Sequence, residues 1–99
     1  MVCAQAAISN NVRLGRHVHV NPNATIGHDA DLQKFVSVNP AAVISGEVIV
    51  MSGTLVGTAA TVLQDLTVWE RVLVGAGSVV TKDVPADVVA KGVPGRWQE

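Results

Sequence analysis

Rings are nearly absent from this sequence. Of 99 residues, only Phe35, Trp69 and Trp97 are aromatic, and there is no tyrosine. A small core of the ordinary kind fills its volume with rings, so that architecture is disfavoured. Cysteine is scarce too. The single Cys3 excludes an internal disulfide and a cysteine-rich zinc site, and it fits a reducing compartment. Neither sign of charge dominates: seven Lys and Arg stand against eight Asp and Glu, for a net charge of −1. Without a basic stripe, a nucleic-acid partner has no electrostatic footprint. Long apolar runs are missing. The longest, around Val72–Val80, contains Gly75 and Gly77 and is too short to span a bilayer. Met1-Val2-Cys3-Ala4-Gln5 has neither the basic start nor the apolar core of a secretory signal. The expectation is a cytoplasmic chain with no membrane and no nucleic acid among its partners.

What the chain has instead is valine. Val fills 20 positions, Leu 6 and Ile 4. Disordered segments are poor in such residues, and the length suits one domain. The aliphatics are periodic. Counting in sixes from Val2, the first positions are Val2, Ile8, Leu14, Val20, Ile26, Leu32, Val38, Ile44, Val50, Val56, Val62, Val68, Val74 and Val80. A run of this kind arises by chance with probability on the order of 10⁻⁷. The fifth positions, from Ala6 through Val84, are nearly all small or β-branched.

A six-residue period fits neither a helix nor an alternating strand. It fits a short strand and a turn, three of which close a triangular coil of about 18 residues. The first-position aliphatic then points inward, and the small fifth residue fills the corner. Asn, Gly, Pro, Asp and Ser serve the turns, as at Asn21-Pro22-Asn23 and Ser52-Gly53. The hexads end past Val84-Pro85. Val88-Val89-Ala90 makes one last short strand, and a polar tail follows. The expected organisation is a repeat domain over 1–87 and a capping segment over 88–99, since solenoids need capped ends. No obvious cap stands before Val2, so the expectation for that end is a frayed coil or a cut from something longer.

Outward positions 18 apart stack in columns. Gly15, Gln33, Met51 and Trp69 form one, and His19, Ser37, Leu55 and Leu73 another. Thr25, Val43, Thr61 and Val79 form a third. Their apolar members gather in the later coils, as a partner surface does.

The hexads over 2–85 resemble those of the hexapeptide-repeat acyltransferases. The resemblance implies an all-β, single-stranded left-handed parallel β-helix. The left hand comes from the family, because the general rule for parallel crossovers gives the opposite hand. Ile26-Gly27-His28-Asp29-Ala30-Asp31-Leu32-Gln33-Lys34-Phe35-Val36 is similar to the His-Asp/Glu segment of sialic acid O-acetyltransferases and bacillosamine-pathway sugar N-acetyltransferases. The run Val74 to Pro85, with Gly92-Val93-Pro94, is similar to many hexapeptide transferases.

The resemblance implies acetyl-CoA as acyl donor, a small-molecule acceptor, no metal and a homotrimer. It makes His28 the general base, a role that suits imidazole because it titrates near neutrality. Asp29 orients the ring, with Asp31 or an acid from another subunit as the alternative. The amide of Gly46, one coil above His28, meets the acetyl group. Ser37, Thr58 and Ala76 fall at cofactor contacts, although the family often carries histidine where Ser37 stands. Thr58 and Ala76 stack with Pro22 and Pro40, at a different corner from His28 and Gly46. The expected site therefore joins His28 and Gly46 of one subunit to Thr58 and Ala76 of the next.

His17 and His19 flank Val18, but with His28 they do not reproduce the ligand spacing of the hexapeptide carbonic anhydrases. Gly75-x-Gly77 lacks the helix a nucleotide loop needs. Met51, Leu63 and Trp69 replace commoner small residues. The resembled sugar enzymes carry an N-terminal nucleotide-sugar domain that this sequence does not contain. The chain is then either a piece lacking its substrate domain or a stand-alone transferase with another acceptor. A non-catalytic trimeric assembly module is the competing class.

Overall fold

The computed structural model describes residues 1–98. The fold is all-β, a left-handed parallel β-helix of about five turns. Its strands are two residues long and lie on three faces. The first face carries Ala7–Ile8, Thr25–Ile26, Val43–Ile44, Thr61–Val62 and Val79–Val80. The second carries Arg13–Leu14, Asp31–Leu32, Ile49–Val50 and Thr67–Val68. On the third lie His19–Val20, Ser37–Val38, Leu55–Val56, Leu73–Val74 and Val89–Ala90. Neighbours on a face pair in parallel, offset by one coil, as in Thr25↔Val43 and Ser37↔Leu55.

The core follows the hexad frame. Val20, Ile26 and Leu32 form one buried layer, and Val38, Ile44 and Val50 the next. Val56, Val62 and Val68 form a third. The fifth positions Ala24, Ala30, Val36, Ala42, Val48 and Ala60 are fully buried at the corners. Two buried corner residues are polar, and both are satisfied, as buried polar groups must be. Thr54 Oγ1 donates to the Trp69 carbonyl at 2.7 Å and accepts from the Val72 N–H at 3.1 Å. Ser78 Oγ accepts from the Gly92 N–H at 3.0 Å. The first layer, Val2, Ile8 and Leu14, is 38–47% exposed.

Each corner turns through one left-handed residue. The fourth position of every hexad from Gln5 to Gly77 has positive φ, between 54° and 76°. This conformation aims the residue's N–H along the solenoid axis at the third-position carbonyl one coil earlier. Examples are Glu47 to His28 at 2.8 Å, Ala59 to Pro40 at 3.0 Å and Gly77 to Thr58 at 2.8 Å. Only Gly53 and Gly77 are glycines at this position, so most corners carry the Cβ–carbonyl crowding that L residues meet at positive φ. Ala59 is exposed and has no further role for its methyl. Ala59→Gly is expected to raise unfolding stability by about 0.5–1 kcal/mol, the relief of crowding less the added chain entropy. Chemical denaturation measures it, and a loss of stability would contradict the corner geometry.

The six-residue frame does not end at Val84-Pro85, as the sequence implies; it slips. Val84 bridges Val68, a first-position residue 16 earlier, and Leu73↔Val89 and Val74↔Ala90 keep that offset. The corner after Val80 is two residues short, and Val84 takes a first position rather than a fifth. Asp87 then occupies the left-handed corner, with φ 65°. Its carboxylate accepts from Arg71 Nε at 2.6 Å and Nη2 at 3.1 Å. That pairing lowers the Asp87 pKa below its ordinary value and raises that of Arg71. Beyond it, Lys91 and Arg96 bridge antiparallel. Trp97 packs partly buried against the core, with Lys82 Nζ 5.3 Å from its ring centroid.

Candidate active site

The corner between the first and second faces gathers a cluster of titratable groups. His28 and Asp29 form one turn there, Gly46 and Glu47 the turn above, and Gln64 and Asp65 the next. His28 Nδ1 lies 3.2 Å from Asp29 Oδ2. Both side chains are about half exposed, at 54% and 50%. Asp29 reaches its own sequence neighbour because, at φ 58°, the left-handed corner swings its side chain back toward His28. Asp31, the alternative partner, instead lines the adjoining cleft.

Gly46 sits directly against the imidazole. A Cβ built on Gly46 would stand 2.7 Å from His28 Nε2 and 2.9 Å from Cε1. The absent side chain is what gives the ring its place. The Gly46 peptide in turn rests on Gly27, where a Cβ would meet the Gly46 nitrogen at 2.5 Å. Third positions contribute their carbonyl to the corner ladder but not their N–H, which is why proline fits at 22 and 40. The Gly46 N–H accordingly has no backbone acceptor among the described residues.

Glu47 was not singled out from sequence. Its signal was the register, since it stands 18 residues after Asp29. One donor atom from each of His28, Asp29 and Glu47 lies within 4.8 Å of the other two. Asp65, one coil further on, lies beside Glu47; the readiness of the two carboxyls to share a proton and their mutual repulsion raise the Glu47 carboxyl above its ordinary range. A cleft of about 680 Å³ opens beside this column, lined by Asn11, Arg13, Asp29, Asp31 and Glu47 among others.

The remaining predicted residues lie elsewhere in the chain. Thr58 and Ala76 are exposed at the corner between the third and first faces, stacked with Pro22 and Pro40. Ser37 is half-buried on the third face, in the strand leading to that corner. Thus His28, Asp29 and Gly46 come together, while Ser37, Thr58 and Ala76 form a separate group along another edge. His17 stacks on Phe35 with ring centroids 5.1 Å apart.

Solved structures share this arrangement of coils. A point variant of perosamine N-acetyltransferase from Caulobacter crescentus, with CoA and GDP-perosamine, matches with TM-score 0.79 and 30% identity. The likeness covers 99% of this chain and 55% of that one. The chain thus shares the six-residue-repeat β-helix fold of solved acetyltransferases. The acetyltransferase domain of PglB from Neisseria gonorrhoeae FA1090, with acetyl coenzyme A, matches this hexapeptide-repeat protein with TM-score 0.82 and 25% identity. That likeness covers 98% and 56% of the two chains. Neisseria gonorrhoeae serine acetyltransferase matches with TM-score 0.85 and 25% identity, over 93% and 40%. The hexapeptide-repeat chain thus spans about half the length of the solved proteins it matches. No protein-family model and no curated protein matches it.

Proposed function

We propose that this chain transfers an acetyl group from acetyl-CoA to a sugar-type hydroxyl or amine, with His28 as general base. The observation that carries the reading is the imidazole held by Asp29 over Gly46, on a fold shared with acetyltransferases. With Nδ1 tied to Asp29, Nε2 is the nitrogen that takes the acceptor's proton. The acceptor's oxygen or nitrogen attacks the thioester carbonyl as that proton leaves. Asp29 stabilises the imidazolium that results. The free Gly46 N–H suits the developing oxyanion, which needs a fixed donor. Collapse breaks the carbon–sulfur bond, and the thiolate recovers the proton from His28. Acetyl-CoA is a substrate here, and the chemistry uses no metal.

The cofactor arm lies against Ser37, Thr58 and Ala76 of a neighbouring subunit, because that edge is remote from His28 within one chain. This makes the working unit an oligomer, and we assign a homotrimer. Support comes from the third face, where Leu73 and Val89 are 44% and 51% exposed, with Trp69 at 44% on the adjoining corner. Residues 1–87 serve as the repeat domain and 88–99 as its cap. Glu99 lies outside the described residues. No helix among those residues is long and apolar enough to cross a membrane. The proposed location is the cytoplasm, where a single Cys3 stays reduced.

Acetyl-CoA binding tests this reading. At a hundredfold excess over Kd, a ligand specific for the folded state adds about 2.7 kcal/mol. For a domain of this size that is a rise in Tm on the order of 10–20 °C. No shift at millimolar acetyl-CoA would favour a non-catalytic assembly module.

A further inference from the structure

We propose that Glu47 is a positioning residue for His28, supplying from the coil above a second negative charge that steadies the imidazolium formed during transfer. The inference rests on His28 being the base. Its observation is the vertical stack of Asp29, Glu47 and Asp65, three corner residues one coil apart, beside a single imidazole.

The corner needs none of these carboxylates for its own structure. The turns are closed by backbone bonds: Asp29 N–H to the Asn10 carbonyl, Glu47 to His28 and Asp65 to Gly46. The same fourth position is filled elsewhere by Ala41, Ala59, Phe35 and Arg71. Stacking like charges at one strand spacing is unfavourable, and Glu47 bears that repulsion from Asp65. The charge finds its counterpart only when His28 is protonated. Gly46 keeps the path open, since a side chain there would stand between the ring and the next turn.

The groups facing His28 are few. Asp29 comes from its own turn, Glu47 from the turn above and Asp65 from beyond it. Asn10 and Asn11 lie in the turn below, and Arg13 lines the cleft. Asp29 holds Nδ1 and so fixes both the tautomer and the ring. Glu47 has no such bond and acts through charge. It takes no proton from the acceptor.

The test is a nuclear magnetic resonance titration of the His28 ring in the ligand-free chain, beside acetyl-transfer kinetics. A negative charge no more than 4.8 Å from the ring favours its protonated form even in water-like, salt-screened surroundings. In Glu47→Gln the His28 midpoint is therefore expected to fall. The acidic limb of the rate profile should move with it, and kcat should fall several-fold with KM little changed. Glu47→Asp should recover part of both, and 1 M salt should shrink the difference. The variant should melt no lower than wild type near neutral pH, because it relieves repulsion. An unmoved midpoint in Glu47→Gln overturns the proposal. So does a lowered midpoint with an unaltered rate. His28→Ala judges the base assignment separately: full activity there removes the reading on which this inference stands, whatever the titration shows.

Discussion

His28→Ala is expected to lower acetyl transfer by about 10²–10⁴-fold, the usual contribution of a positioned general base. Fold and acetyl-CoA affinity should stay near wild type. The imidazole is about half exposed, and the carbonyl of residue 28 that the Glu47 N–H binds survives in alanine. Removing the side chain opens no cavity and breaks no ladder bond. The loss belongs in kcat, because the proposed base acts on the proton that moves in the transition state. A kcat within threefold of wild type would exclude His28 as the base.

Gly46→Ala should be nearly as damaging, for a geometric reason. The new Cβ would lie 2.7 Å from Nε2 and 2.9 Å from Cε1 of His28, well inside contact distance. The half-exposed ring can swing outward, so the coil should tolerate the change and the catalytic nitrogen should not. Displacement of about 1 Å is enough to cost on the order of 10²-fold in rate. Gly27→Ala makes the contrast. Its Cβ would strike the Gly46 backbone nitrogen at 2.5 Å, and a solenoid backbone cannot step aside. That variant should lose stability, whereas Gly46→Ala should melt within a few degrees of wild type and lose activity. Unchanged kinetics in Gly46→Ala would show that the ring's position over residue 46 is immaterial.

The coil frame is legible in sequence because one aliphatic every six residues is a pattern few folds produce. It also explains why rings are scarce: a layer such as Val38, Ile44 and Val50, closed by small corners, has no room for one inside. The slip at Val84 is not legible, because valine suits a first or a fifth position equally. The hydrogen bonds of the last coil decide it. The left-handed corner is half legible. Asn11, Asn23, Gly53 and Gly77 stand at fourth positions, but Phe35, Arg71 and Glu47 share the same φ and hide the rule.

The candidate site divides in the same way. The His28-Asp29 segment carries its own signature, and adding one coil length places Gly46 on the ring. The same step places Glu47 above Asp29. It goes unread because a lone glutamate in a turn resembles solvated surface. In the proposed oligomer, which edge meets which depends on surfaces brought together only on assembly, and a single chain's periodicity is silent on that.

The most direct test of the account is release of free thiol from acetyl-CoA by the whole chain, measured over a panel of amino sugars and sialic acids beside an acceptor-free blank. The account predicts release above the blank with at least one acceptor, and its loss in His28→Ala. Blank-level release with every acceptor, from a protein that binds acetyl-CoA, would contradict it.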